Sequence, residues 1–224
     1  MELAGLYIFS YLVGAVPTAF LIAKLANGVD IRHYGSGNVG GSNLFHLMGK
    51  YWVVPMGIFD VFLKGASPVW IGQYLMGLDR SSGLLIVAPL LALVGHNWSP
   101  YIKFQGGRGI AVAGGSLLAL APWILAAFVV IALAGWAVTR SSGVWVLIAL
   151  ATLPVWAGVA RDPLIISWYC AGVLALVVFK RLLANRTPLP EDLPRRKVLL
   201  NRLFRDRDVD DRAEWISRNP RGAG

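Results

Sequence analysis

The chain has 224 residues, 56% of them hydrophobic and only 15% charged, with a mean hydropathy of +0.60. Ordinary soluble domains carry about 25% charged residues, so a soluble globular protein is excluded and a membrane protein is expected. The net charge of +9 does not point to nucleic acid, because 12 of the 21 basic residues follow Phe179, where they alternate with seven acids.

A hydrocarbon core of about 30 Å takes about 20 apolar residues in helical form. Leu3 to Leu25 meets that length, interrupted only by Pro17 and closed by Lys24. Trp52 to Met76 is a second span, with Asp60 and Lys64 inside it. Gly83 to Gly95 is a short third. The apolar run from Ile110 to Val138 is too long for one upright helix, and Ala121-Pro122-Trp123 predicts a turn that splits it into a fourth and a fifth. Val144 to Ala160 and Leu164 to Phe179 complete an expected set of about seven transmembrane helices, an all-α polytopic fold.

Orientation follows from the basic residues of short loops. Loops after spans one, three and five hold Lys24, Arg32, Lys50, Lys103, Arg108 and Arg140, and the tail is basic too. The opposite loops hold Arg80 and Arg161, each beside an acid, Asp79 or Asp162. The expected topology is N-out and C-in. No cationic segment or cleavage site precedes span one, which is expected to remain. The tail reads as a solvated extension that touches anionic head groups. Asp206 to Ser217 fails as a calcium loop, since Asp211 stands where Gly is needed and Ser217 where Glu is needed. One cysteine, Cys170, and three histidines leave no expected disulfide or metal site.

Two glycine-rich stretches fall on the predicted cytoplasmic side. The first, Gly35-Ser36-Gly37-Asn38-Val39-Gly40-Gly41-Ser42-Asn43, holds four Gly, two Ser and two Asn without a charge. Glycines permit close backbone approach, and successive N–H groups cradle an anion, so a phosphate site is expected rather than a plain linker. The second, Gly106-Gly107-Arg108-Gly109, delivers a helix N-terminus, and Arg108 adds a fork-shaped donor. Asp60 and Lys64 are four apart on one helix face, read as an ion pair supporting the site or as a lysine reaching from a helix end. His96 borders the second loop. His46 follows the first as a candidate phosphate donor, and His33 reads as a surface residue. No Ser-His-Asp or Cys-His arrangement is present, so chemistry here is expected to rest on positioning and charge stabilisation.

These residues resemble the acyl-phosphate:glycerol-3-phosphate acyltransferase family (PlsY), seven-span enzymes of bacterial phospholipid synthesis. Tyr11-Leu12-Val13-Gly14-Ala15-Val16-Pro17-Thr18 looks like its start, and Asp30-Ile31-Arg32 with Gly35 to Asn43 looks like its first loop. Lys64-Gly65, Gly95-His96 and Phe104-Gln105-Gly106-Gly107-Arg108-Gly109 match further motifs. The resemblance implies transfer of an acyl group from acyl phosphate to the 1-hydroxyl of glycerol 3-phosphate, giving lysophosphatidate and phosphate, in the bacterial plasma membrane with the site facing the cytoplasm. It implies Ser36, His96 and Arg108 as catalytic residues. Phosphate binding would fall to Gly35, Ser36, Gly37, Asn38, Gly40, Ser42, Asn43, His46, Lys64, Gly106, Gly107, Arg108 and Gly109. No cofactor is implied. Residues 1–183 would form the acyltransferase domain and 184–224 a cytoplasmic tail.

The chain also departs from the family. Val39 and Gly41-Ser42 replace Pro and Ala-Thr, His46 stands where the family has a phosphate-binding Arg, and Arg108 where it has Lys. Aligning Lys180-Arg181-Leu182 with the third motif puts Ala175 and Val178 at its His and Asn, with Asn185 and Asn201 as candidate substitutes. A different acceptor, or a non-catalytic lipid- or anion-binding relative, are the alternatives.

Overall fold

The computed structural model describes residues 2–186 and 193–217. It is all-helical. The first apolar stretch is two helices, α1 (Glu2–Ala15) and α2 (Thr18–Asn27), because Pro17 lacks the N–H that would continue the ladder. A short helix, α3 (Gly41–Met48), follows the first glycine loop, and α4 (Lys50–Leu75) is a long helix relaxed into π turns at Phe59–Ala66 and Ile71–Leu75. Next come α5 (Gly83–Asn97), α6 (Ile110–Leu120), α7 (Pro122–Thr139), α8 (Ser142–Val159) and α9 (Leu164–Leu183).

The turn predicted at Ala121 is present: its ψ of 74° breaks the helix, and a methyl on Gly114 would lie 3.7 Å from Leu125 Cδ1 across the break. The chain therefore folds back, and Gly109 and Arg140 line the same cleft. Among the described residues five helices are long and apolar enough to cross a membrane: residues 2–27 as one unit, α4, α7, α8 and α9. The apolar helices α5 and α6 are shorter, at 15 and 11 residues.

Small residues set the closest helix contacts. A side chain on Gly14 would strike the Ala92 backbone, one on Gly95 the backbone of Tyr11, and one on Gly65 the carbonyl of Val112. In lipid, where apolar side chains gain nothing by leaving solvent, such backbone-to-backbone packing is the main source of helix association. It locks α1 to α5 and α4 to α6. Leu85, Leu93, Val112, Leu117, Leu150 and Tyr169 fill the core between them, and Ile58, Val130, Val138 and Val159 face outward. Cys170, expected on an apolar face, is buried in that core.

The tail departs from expectation. Helix α10 (Arg195–Arg205) and the turn after it pack on α8 and α9 instead of lying free in solvent. Val198, Asn201 and Val209 are buried, and Arg202 Nε pairs with Asp208 Oδ1 at 2.6 Å inside the contact. Short α11 (Arg212–Ser217) ends the described chain, and residues 187–192 and 218–224 of the expected tail lie outside the described residues.

Candidate active site

The first glycine loop is held from both ends. Asp30 Oδ1 accepts from the Arg32 backbone at 3.0 Å and from Arg32 Nε at 2.8 Å, while the Arg32 guanidinium lies 5.1 Å from the Phe20 ring centre. Burial raises the Asp30 carboxyl, but the hydrogen bonds and charge of Arg32 outweigh it and leave the pKa below the ordinary value of 3.8. Gly35 and Gly37 take φ of 54° and 64°, the left-handed region that favours glycine. Asn43 staples the loop: its amide donates to the carbonyls of Ile31, Tyr34 and Asn38 at 3.0–3.1 Å, and its oxygen accepts from Ser36 N at 3.4 Å. Ser36 Oγ accepts from Asn38 N at 3.2 Å, closing a tight turn.

The second loop is stacked on the end of α5. A Cβ on Gly106 would collide with the carbonyls of His96 and Asn97, and one on Gly107 with the His96 ring and the Val39 carbonyl. The Gly107 N–H donates to His96 O at 3.1 Å. Gly109, at φ 75°, then turns the chain into α6. Asn185, left-handed at φ 57°, joins the two loops: its amide donates to Gly106 O at 2.9 Å and Gly37 O at 3.3 Å, and its oxygen accepts from Gly106 N at 3.1 Å.

Behind the loops lies a buried polar cluster. Asp60 Oδ1 meets Lys64 Nζ at 2.5 Å and Thr18 Oγ1 at 2.7 Å, and Lys64 Nζ also donates to Thr18 Oγ1 at 3.0 Å. His96 Nδ1 is 3.5 Å from Lys64 Nζ. The Pro17 break aims Thr18 at this cluster, and the π turn brings Asp60 and Lys64 to it.

In front of the loops opens a cleft of about 720 Å³. Of the residues expected at the site, Asn38, Gly40, Ser42, His46, His96, Arg108 and Gly109 line it. Gly35, Ser36, Gly37, Asn43, Gly106 and Gly107 are not in its lining, and they shape the loops that form the wall. Lys64, expected to bind phosphate, is 0% exposed and paired with Asp60 behind the loops, outside the cleft lining. Arg108 Nε donates to Asp206 Oδ1 at 2.6 Å and its Nη1 to Lys180 O at 3.2 Å.

Three helices begin at this cleft: α3 at Gly40, α6 at Gly109 and α8 at Ser141, none with a side-chain cap. The first N–H groups of each have no acceptor within their helix, so three partial positive charges converge with five arginines, 108, 140, 181, 205 and 207. Such a concentration of positive charge attracts anions. The α8 start and the last four of these arginines escaped the sequence reading, because they come from parts of the chain that only folding brings together. The one signal for them was the Lys180-Arg181-Leu182 match.

Residues 4–189 match the family model described as glycerol-3-phosphate acyltransferase. The chain belongs to that family. It is 35% identical over 218 residues to glycerol-3-phosphate acyltransferase 4 of Dehalococcoides mccartyi strain CBDB1, covering 93% of this chain and 90% of that one. Among solved structures it is similar to PlsY (YgiH), an integral membrane glycerol 3-phosphate acyltransferase. The glycerol 3-phosphate form of that protein matches at 29% identity, with a TM-score of 0.75 over 81% of this chain and 88% of that one. The lysophosphatidic acid form gives 27% identity and a TM-score of 0.72 over the same shares. Within this acyltransferase fold, Arg181 of the third motif lines the cleft, whereas Ala175 and Val178, at the motif's His and Asn, do not. Asn185 stands between the loops, and Asn201 donates to Asp208 O at 3.4 Å within the tail.

Proposed function

We propose that this chain transfers the acyl group of an acyl phosphate to the 1-hydroxyl of glycerol 3-phosphate, releasing lysophosphatidate and inorganic phosphate. The observation that carries this reading is one cleft at the edge of an apolar bundle where three open helix N-termini and five arginines converge. Two phosphate-bearing substrates need that much positive potential. The donor's acyl chain needs the apolar lining supplied by Met56, Ile110 and Val146.

The hydroxyl oxygen attacks the carbonyl carbon, the C–O bond to phosphate breaks, and the hydroxyl proton leaves on the departing phosphate. A mixed anhydride is already activated, so no covalent enzyme intermediate is required. Arg108, at the start of α6, is placed to neutralise the phosphate on which charge develops. The backbone N–H groups of Gly41, Ser42 and Ile110 orient the substrates, and Asn38, His46 and His96 add polar contacts along the same wall. Ser36 and Asn43 act by fixing the loop. In this reading the cleft faces the cytoplasm of a bacterial plasma membrane, with the N-terminus outside, as the distribution of loop arginines and lysines favours.

The test is phosphate release by the purified protein in lipid, with palmitoyl phosphate and with or without glycerol 3-phosphate. Release that requires glycerol 3-phosphate and yields lysophosphatidate supports the reading. Release indifferent to it, or none at all, overturns it.

A further inference from the structure

The family model ends at residue 189, yet the chain beyond it walls the cleft: Arg205, Asp206, Arg207 and Trp215 all line it. These residues share the cleft with the start of α8 at Ser141 and Ser142, and Asp206 reaches Arg108 of the second glycine loop at 2.6 Å. That helix start is not the only feature aimed at a ligand. Arg181, 2% exposed, donates through Nη1 to the carbonyls of Gly143 and Leu203 at 2.9 Å, and its buried Nε, 4.0 Å from Asp206 Oδ1, has no hydrogen-bond acceptor. Trp215 Nε1 is buried without an acceptor in the same wall. Buried donors left unsatisfied are costly, so two in one wall mark a place where an acceptor belongs.

Charge balance points the same way. Asp60 is matched by Lys64, and the five arginines of the lining stand with one other lining carboxylate, Asp206, while Asp210 pairs with Arg205 from outside the lining. That cationic lining suits more than one phosphate group. Arg108 and the glycine loops account for one. The Arg205–Asp210 pair is solvent-exposed, a kind of contact worth little that a dianion displaces readily. Helix α10 exposes Arg195, Arg196 and Lys197 together with Leu200 and Phe204, and charges of this density belong at the water-facing edge of a membrane.

We infer that the C-terminal segment completes the active site: Arg205 and Arg207, with Arg181 and the start of α8, hold the phosphate of the water-soluble acceptor, glycerol 3-phosphate. The inference rests on the acyltransferase reading above, and it assigns the donor phosphate to the Arg108 side.

The experiment compares Arg205→Gln, Arg207→Gln and the charge-matched control Arg196→Gln, an exposed position outside the cleft, in the full chain. Michaelis constants are measured separately for glycerol 3-phosphate and palmitoyl phosphate. The inference expects the acceptor KM to rise about tenfold in each cleft variant, with the donor KM and kcat within about twofold and Arg196→Gln unchanged. An unchanged acceptor KM overturns it. An equal rise in both KM values, or the same loss in the control, also overturns it, since either reports a general field or folding defect. If the wild type shows no acceptor-dependent turnover, the acyltransferase reading fails by itself, and equilibrium dialysis of labelled glycerol 3-phosphate decides the inference. Binding by wild type that the cleft variants lose supports it, and no binding by wild type overturns it.

Discussion

Asp206 Oδ1 accepts a hydrogen bond from Arg108 Nε at 2.6 Å, across 98 positions of sequence. The Arg108 Nη1 donates to Lys180 O at 3.2 Å, so the guanidinium is fixed on two sides while it borders the cleft. A carboxylate from the tail thus orients the cation that the second glycine loop delivers.

Asp206→Asn keeps the shape but weakens that hold. The pair is partly exposed, so the stability loss is expected at about 1 kcal/mol or less. The kcat is expected to fall about tenfold, because a misoriented guanidinium loses alignment with the transition state. Thermal unfolding in detergent beside steady-state kinetics checks both. A kcat equal to wild type would show that Lys180 O alone suffices to orient Arg108.

Arg108→Ala is expected to lower kcat by about 100-fold or more, the scale of losing one main charge-stabilising donor. Arg108→Lys should recover part of the rate, since a point charge replaces the fork. The fold should persist in both, read as an unchanged size-exclusion profile. Normal turnover in the alanine variant would remove Arg108 from the mechanism.

Lys64→Met leaves Asp60 as a buried charge with only Thr18 and a more distant His96 beside it, and is expected to destabilise the protein by about 3–5 kcal/mol. Adding Asp60→Asn should restore much of that loss, because the pair is then removed together. The thermal midpoints of the two single variants and the double variant make the cycle. Additive losses would sink the ion pair's assignment as a support.

Asn185→Ala removes the side-chain bridge between the two glycine loops, leaving the Val39 N–H to Gly106 O bond at 3.4 Å, and takes that partner from the Gly106 N–H and C=O. A loss of about 1–3 kcal/mol is expected, with both substrate KM values raised, since the two loops no longer share one register. A change confined to one substrate would show that the loops act independently.

Asp30 predicts an acid-side effect. Its carboxyl is held below the ordinary 3.8, so it stabilises the folded chain above that value, and the contribution disappears as pH falls through the folded value. Asp30→Asn should therefore cost less than about 1 kcal/mol at pH 7, given how exposed the pair is, and nothing once the carboxyl is protonated. Unfolding midpoints at pH 7 and near pH 3 measure the difference, and a variant equally destabilised at both would contradict the linkage.

How much was legible follows from which residues carry a local signal. The apolar runs, the break at Pro17, the turn at Ala121-Pro122 and both glycine loops were readable because helix length and backbone freedom are set by neighbours in the chain. The Asp60–Lys64 pair was readable from its spacing, but its burial was not. That Asn43 and Ser36, expected as ligands, also brace the loop was not readable, because only their distances show which groups they bond.

The sequence by itself determined a helical membrane protein with two glycine-rich loops, since hydrophobic length and glycine conformation are local properties. Only the tertiary structure decided that residues of the tail would line the cleft, that Asn185 would join the loops, and that α8 would open onto the same cleft. Those features depend on which distant residues meet. Such meetings are fixed by the packing of small residues such as Gly14, Gly65 and Gly95, whose effect is felt across helices rather than along the chain.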